Sequence, residues 1–164
     1  LPDVYGGFGT SLRFYGVDFS IGFTYQLGGQ VLDQGYMFYM NSPAGTSTGN
    51  NYHHDLLNSW TPENSGSNIP RFAYNDTDQA AVSDRFLTSA SYLNIQNITL
   101  GYTLPKRITR KFLVENLRIY LACDNVWYWS KRQGLDPRQS INGITNPYYY
   151  APIRTFSGGV TVTF

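Results

Sequence analysis

The chain has 164 residues, a formal net charge of +1 and 14 % charged residues. That balance argues against a strong overall pull to nucleic acid or to anionic lipid. Aromatics reach 16 %, Gly occurs 16 times, and the lone Cys123 permits no intrachain disulfide, a mixture that suits strands and turns. No run approaches the roughly 18 apolar residues of a spanning helix. Barrel strands, being half polar, stay possible.

In chain order, the first expected strand is YGGFGTSLRF (5–14), where Phe8, Leu12 and Phe14 alternate with Gly9, Ser11 and Arg13. A tight turn at Tyr15-Gly16 leads into VDFSIGFTYQL (17–27). There Val17, Phe19, Ile21, Phe23, Tyr25 and Leu27 share one face, and period two over eleven residues is a strong strand signal. A long loop, about 28–90, follows. The third strand, 91–104, starts with Leu93 and Ile95 apolar, then changes phase to Ile98, Leu100, Tyr102 and Leu104. A one-residue β-bulge near Gln96–Asn97 is the device that does this. A basic link from Pro105 leads to a fourth strand, 116–129, with Leu117, Ile119, Leu121 and Cys123 on one face. A second long loop, about 130–153, precedes the last strand, 154–164, where Phe156, Val160, Val162 and Phe164 alternate with Thr155, Ser157, Thr161 and Thr163.

The links therefore run short, long, short, long. In up-and-down antiparallel strands this puts both short links at one end and both long loops at the other. A soluble β-sandwich and a barrel in lipid show the same alternation. Three features favour the barrel: bulky uncharged apolar faces, strand lengths near the 9–11 residues that cross a bilayer at a tilt, and aromatics at strand ends. Trp127, Tyr128 and Trp129 gather at the long-loop end, Tyr102 and Phe164 at the other, like two interfacial girdles.

Longer strings carry a family resemblance. SWTPENSGSNIPRF (59–72) resembles the W-T-P-E-N…P-R loop of the SusC/RagA family of TonB-dependent outer-membrane receptors. SYLNIQNITLGYTLP (91–105) is similar to that family's S-Y-L-R-L-x-N-I-x-L-G-Y-x-L-P, and LRIYLACDNVWYWSKRQGLDP (117–137) to its L-R-x-Y…N-L…K-x-x-G-x-D-P. YGGF (5–8), and Arg154-Thr155 before the terminal strand, match as well. Departures are Val126 for Leu, Leu135 for an aromatic, and Asn94 and Gln96 for basic residues.

The resemblance implies an all-β fold: an antiparallel up-and-down transmembrane β-barrel of about 22 strands filled by an N-terminal plug. This chain would be its last five strands with two long extracellular loops. It implies a nutrient importer, not an enzyme, with no cofactor. The importer would sit in the outer membrane of a Gram-negative bacterium of the Bacteroidetes type and take up glycans or peptides. Its partners would be the rest of the barrel and plug (same protein or another chain), a SusD-like surface lipoprotein, TonB and the lipid membrane. A soluble carbohydrate-binding β-sandwich, or a passive porin or adhesin barrel, is the alternative.

Candidate binding residues follow from position. Trp60, Tyr148 and Tyr149 lie in the long loops, where aromatic faces stack on sugars and peptide side chains alike. Mutual loop packing, or contact with a partner protein, is the blander role. Arg118, Tyr120 and Asp124 face the lumen, to line a solute path or hold the plug. By resemblance, Phe164 serves the insertion machinery as an assembly signal. His53-His54-Asp55 is read as a solvated loop, not a metal site, because adjacent residues do not easily converge on one ion. Asp136-Pro137-Arg138 is read as a loop ion pair or turn start. Lys106, Arg107, Arg110 and Lys111 are read first as a solvated turn, with anionic head groups as the alternative contact. Ile108, Phe112 and Leu113 are expected to pack that turn on the barrel rim.

Overall fold

The computed structural model describes residues 1–42, 49–132, 134–139, 142–146, 148 and 150–164. In chain order its elements are β1 (Val4–Phe14), β2 (Val17–Leu27), β3 (Gln30–Leu32), α1 (Gln34–Tyr39), β4 (Leu87–Ser89), β5 (Tyr92–Thr103), α2 (Lys106–Thr109), β6 (Asn116–Ser130) and β7 (Thr155–Thr163). The long strands form one five-stranded antiparallel sheet in the order β1-β2-β5-β6-β7. No described helix is long and apolar enough to cross a membrane.

Pairing register sorts the side chains into two faces. Phe8 opposes Phe23, Leu12 opposes Phe19, and Ile21 opposes Ile98. Leu100 then meets Leu121, and Ile119 meets Val160. One face is therefore apolar across all five strands. The charged residues of these strands, Arg13, Asp18, Arg118 and Asp124, all stand on the other face, among Ser, Thr, Asn, Gly and Tyr. No second described sheet layer covers the apolar face: among the described residues the only other sheet is the three-residue pair β3–β4. Phe8, Leu12, Leu121, Phe156 and Val160 stand open on it. That is not the inward-facing core a sandwich requires. The sheet is an open arc, with β1 and β7 each paired on one side only.

Phase is kept by the bulge. Gly22 opposes Asn97 while Phe23 opposes Ile95, so Gln96 is the extra residue against β2. Across the other side, Ile95 meets Trp127 and Asn97 meets Asp124, and Asn125 absorbs the irregularity with a φ of 51°. Leu93 and Ile95 thereby return to the face of Ile98 and Leu100. The β1–β2 turn has two central residues, Tyr15 (φ 46°) and Gly16 (φ 84°), the positive pair that right-twisted hairpins favour. A Cβ on Gly16 would lie 2.7 Å from the Thr103 carbonyl.

The long loops are folded. In the first, Asp33 caps α1 by accepting the Tyr36 N–H at 2.9 Å, and Met40, Leu56 and Phe86 form a small core joined by Tyr36, Tyr52 and Ile69. Burying the Phe86 ring contributes about 1.5–3 kcal/mol. A second cluster joins Val31 and Ala90 to Leu135, which belongs to the other loop. Backbone bonds fasten the same junction: Leu32 N–H donates to Gly143 O at 2.7 Å, and Leu32 and Ile144 form a parallel bridge.

Candidate functional site

The polar face of the sheet and the joined loops at one end of it hold the chemistry. On the face, Arg118 Nε donates to Asp18 Oδ1 at 3.0 Å, and its Nη2 donates to Oδ2, a bidentate pair. The two residues are on β6 and β2, so the bridge crosses the intervening β5 at Gly101. A Cβ there would lie 2.5 Å from Arg118 Nη2 and 2.6 Å from both Asp18 oxygens. Glycine makes the crossing possible, as strand glycines do where other groups approach closely. Gly159 similarly accommodates the Tyr120 ring. Asp124 is exposed on this face, opposite Asn97 and Thr155.

Nearer the loops, buried Asn94 donates to Thr24 Oγ1 at 3.0 Å and accepts from Arg138 Nη1 at 2.8 Å. Arg138 also donates Nε to Asp136 Oδ1 at 2.8 Å and Nη2 to Oδ2 at 2.6 Å, and lies 4.9 Å from the Tyr128 ring centre. Asp136 is fully buried, so each charge is matched by hydrogen bonds as burial demands. This network ties the second loop to the polar face of the wall. Tyr128 therefore leaves the aromatic girdle expected of it, which keeps Trp127 and Trp129, half exposed on the apolar face. A groove of about 670 Å³ runs beside this end of β6, lined among others by Trp127, Trp129, Pro152 and Arg154.

The first loop answers from the other side. Arg132 Nε lies 2.7 Å from Asp33 Oδ2, and its guanidinium sits 3.6 Å from the Tyr36 ring centre. The Tyr36 hydroxyl donates to Asp55 Oδ2 at 2.9 Å. Burial first, and then this bond, raise the phenol above its ordinary pKa, against the opposing pull of Arg132.

The sequence-nominated residues fall as follows. Arg118 and Asp124 share β6 and the polar face, and Arg118 is committed to Asp18. Trp60 is partly exposed in the first loop, its N–H bonded to Ile69 O at 2.8 Å beside a turn in which Thr61 accepts from Asn64. Tyr148 is 76 % exposed in the second loop. Tyr149 lies outside the described residues. Phe164 follows β7 with its ring exposed. His53, His54 and Asp55 do converge, with donor atoms within 4.8 Å of one another. However, His53 Nδ1 accepts the Asp55 N–H and caps the 3₁₀ turn His54–Asn58, while Asp55 is held by Tyr36. Asp136 and Arg138 form the expected ion pair. Ile108, Phe112 and Leu113, expected on the rim, are 47 %, 72 % and 88 % exposed among the described residues. Sequence reasoning missed Asp18, Asn94, Asp33 and Arg132. Gly101, interrupting an otherwise regular strand, was the one local sign of a crossing.

An arc of antiparallel strands, uncharged on one face, polar on the other and roofed at one end by folded loops, is a piece of a membrane-type β-barrel wall. No family model matches the chain. It is 26 % identical over 173 residues to TonB-dependent receptor P3 of Formosa agariphila, covering 99 % of this chain and 16 % of that protein. It is 31 % identical over 128 residues to TonB-dependent receptor SusC of Bacteroides thetaiotaomicron, covering 70 % of this chain and 13 % of that protein. Its fold superposes on the RagAB peptide importer in the closed-closed state with a TM-score of 0.79, at 24 % identity, over 100 % of this chain and 17 % of that one. The chain is thus similar along its length to TonB-dependent receptors of the SusC/RagA kind, and its fold is that of a segment of their barrel. It spans about one sixth of the length of the first relatives it matches.

Proposed function

We propose that this chain forms the C-terminal wall segment and two outer loops of a TonB-dependent outer-membrane importer of nutrients. The rest of the barrel and a plug complete it, because unpaired strand edges are costly in lipid. A SusD-like lipoprotein sits over the long-loop end and delivers glycans or peptides. TonB drives release from below. The observation that supports this best is the segregation of the sheet: apolar side chains exposed on one face, and every strand charge on the other. The chain's part is mechanical and adhesive. Its apolar face meets hydrocarbon, the Asp18–Arg118 bridge stiffens the wall, and the joined loops offer Trp60, Tyr148 and the Trp127–Arg154 groove to lipoprotein or cargo. Exposure of Asp124 on the polar face supports a role for it in contact with solute or plug.

The test is cellular. The tagged intact protein should fractionate with the outer membrane, migrate anomalously until boiled, and co-purify a lipoprotein. Uptake of its cargo should cease when TonB is deleted. A protein that stays in solution without detergent, or uptake that is indifferent to TonB, would defeat the reading.

A further inference from the structure

The short-link end carries a feature that wall duty does not use. Between β5 and β6, residues 105–115 form a turn of α2 and a 3₁₀ turn, Arg110–Phe112. Within six positions it displays four cations, Lys106, Arg107, Arg110 and Lys111, all exposed. Ile108, Phe112 and Leu113 stand open beside them, Leu113 in the left-handed region with a φ of 58°. Apolar side chains held out among like charges gain nothing in water. An amphipathic basic turn of this kind matches an anionic lipid interface, where apolar groups enter the acyl boundary and cations meet the head groups.

The surroundings continue that interface. Phe14 and Tyr15, packed edge to face at 4.3 Å, are 71 % and 86 % exposed at the same end. Tyr102 and Phe164 are there too, since Asn116 pairs with Thr163 and Tyr102 with Ile119. The rim is thus aromatic, as at membrane–water boundaries, and its cations concentrate in this one link. Glu115 is the only acid in it.

We infer that the 105–115 turn is a binding surface for anionic phospholipid head groups at the short-link leaflet, with Ile108, Phe112 and Leu113 entering the bilayer boundary. This rests on the barrel reading, and the experiment separates the two. The intact protein, purified in detergent, is titrated with phosphatidylglycerol or phosphatidylcholine, and retained lipid is counted by native mass spectrometry. Heat-modifiable migration reports barrel folding independently. The wild type should retain phosphatidylglycerol in preference, and salt should weaken that preference. The fourfold variant K106Q/R107Q/R110Q/K111Q should stay heat-modifiable and lose at least tenfold of the preference, given about fivefold per cation near a charged surface. The variant I108S/F112S/L113S should bind both lipids more weakly. Equal retention of the two lipids by the folded wild type, or an unchanged preference in the fourfold variant, overturns the inference while leaving the barrel intact. Release of the plug in place of lipid by the fourfold variant also overturns it. Loss of heat-modifiability already in the wild type condemns the barrel reading itself.

Discussion

At the scale of single residues, the wall is organised around small side chains that let large ones lie across them. Gly101 is the clearest case: the Arg118 guanidinium and the Asp18 carboxylate meet over it, a hundred residues apart in sequence. Replacing one partner breaks a bidentate, charge-assisted pair and leaves the other group without its mate. Asp18→Asn and Arg118→Met should each destabilise the folded barrel, and the double variant by clearly less than their sum. Gly101→Val should reproduce the loss by occupying the crossing. Urea unfolding in lipid vesicles reads all four, and strict additivity of the two single changes would refute the coupling. Tyr36 provides the second test. Its phenol is pushed above the ordinary value by burial and by Asp55, so the native loop favours the neutral form. The stability this contributes is complete below the unfolded pKa of about 10 and disappears as pH rises through the higher folded value. The first loop should therefore become protease-sensitive as pH climbs past that range. Tyr36→Phe should be weaker at pH 8 by about 1 kcal/mol, yet show no alkaline transition. An alkaline transition of the same size in Tyr36→Phe would assign it to another group.

At the scale of elements, the decisive one is the Gln96 bulge. A period-two strand cannot change face without an extra residue, and Gln96 is that residue against Gly22–Phe23. Deleting Gln96 should turn half of β5 inside out, setting Asn97 and Thr99 toward hydrocarbon or Leu93 and Ile95 toward water. The expected result is loss of the heat-modifiable band, whereas Gln96→Ala should change stability by less than about 0.5 kcal/mol. Normal assembly of the deletion would mean that the register is set elsewhere. This bulge was legible in sequence, as were the five strands, because alternation over nine or more residues is a local signal. The loop elements were not. β3 and β4 are three residues each, too short for a period to show, and α1 spans only Gln34–Tyr39. Tyr128 was misplaced for a related reason. Its neighbours Trp127 and Trp129 mark the girdle, but period two sends the residue between them to the other face, where Arg138 stacks on it. The ties that join the loops, Arg132 to Asp33 and Leu135 to Val31, connect positions about a hundred apart and leave no trace in local pattern.

At the scale of the whole molecule, the two faces of the sheet must meet different solvents, and the register says which. Ile21 sits near the middle of β2 between Thr10 and Ile98 on the apolar face, and its neighbour Ser20 sits between Ser11 and Thr99 on the polar face. A soluble sheet would bury Ile21 in protein and expose Ser20 to water. A barrel wall puts Ile21 in hydrocarbon, where arginine costs about 2–4 kcal/mol at the midplane, and puts Ser20 on a wet interior that already holds Arg13 and Arg118. Ile21→Arg should therefore sharply reduce the amount of folded protein in the outer membrane, while Ser20→Arg, one position away, should be near neutral. The same asymmetry should recur on the far side of the arc, with Phe156→Arg damaging and Ser157→Arg tolerated, because Phe156 ends the row Ile21–Ile98–Cys123 on the apolar face and Ser157 ends the row Ser20–Thr99–Ala122 on the polar face. Four substitutions of identical chemistry then differ only in face. Quantifying heat-modifiable protein for each tests the assignment of lipid and lumen directly: equal damage at adjacent positions would refute it, and greater damage from Ser20→Arg and Ser157→Arg would reverse the orientation of the wall.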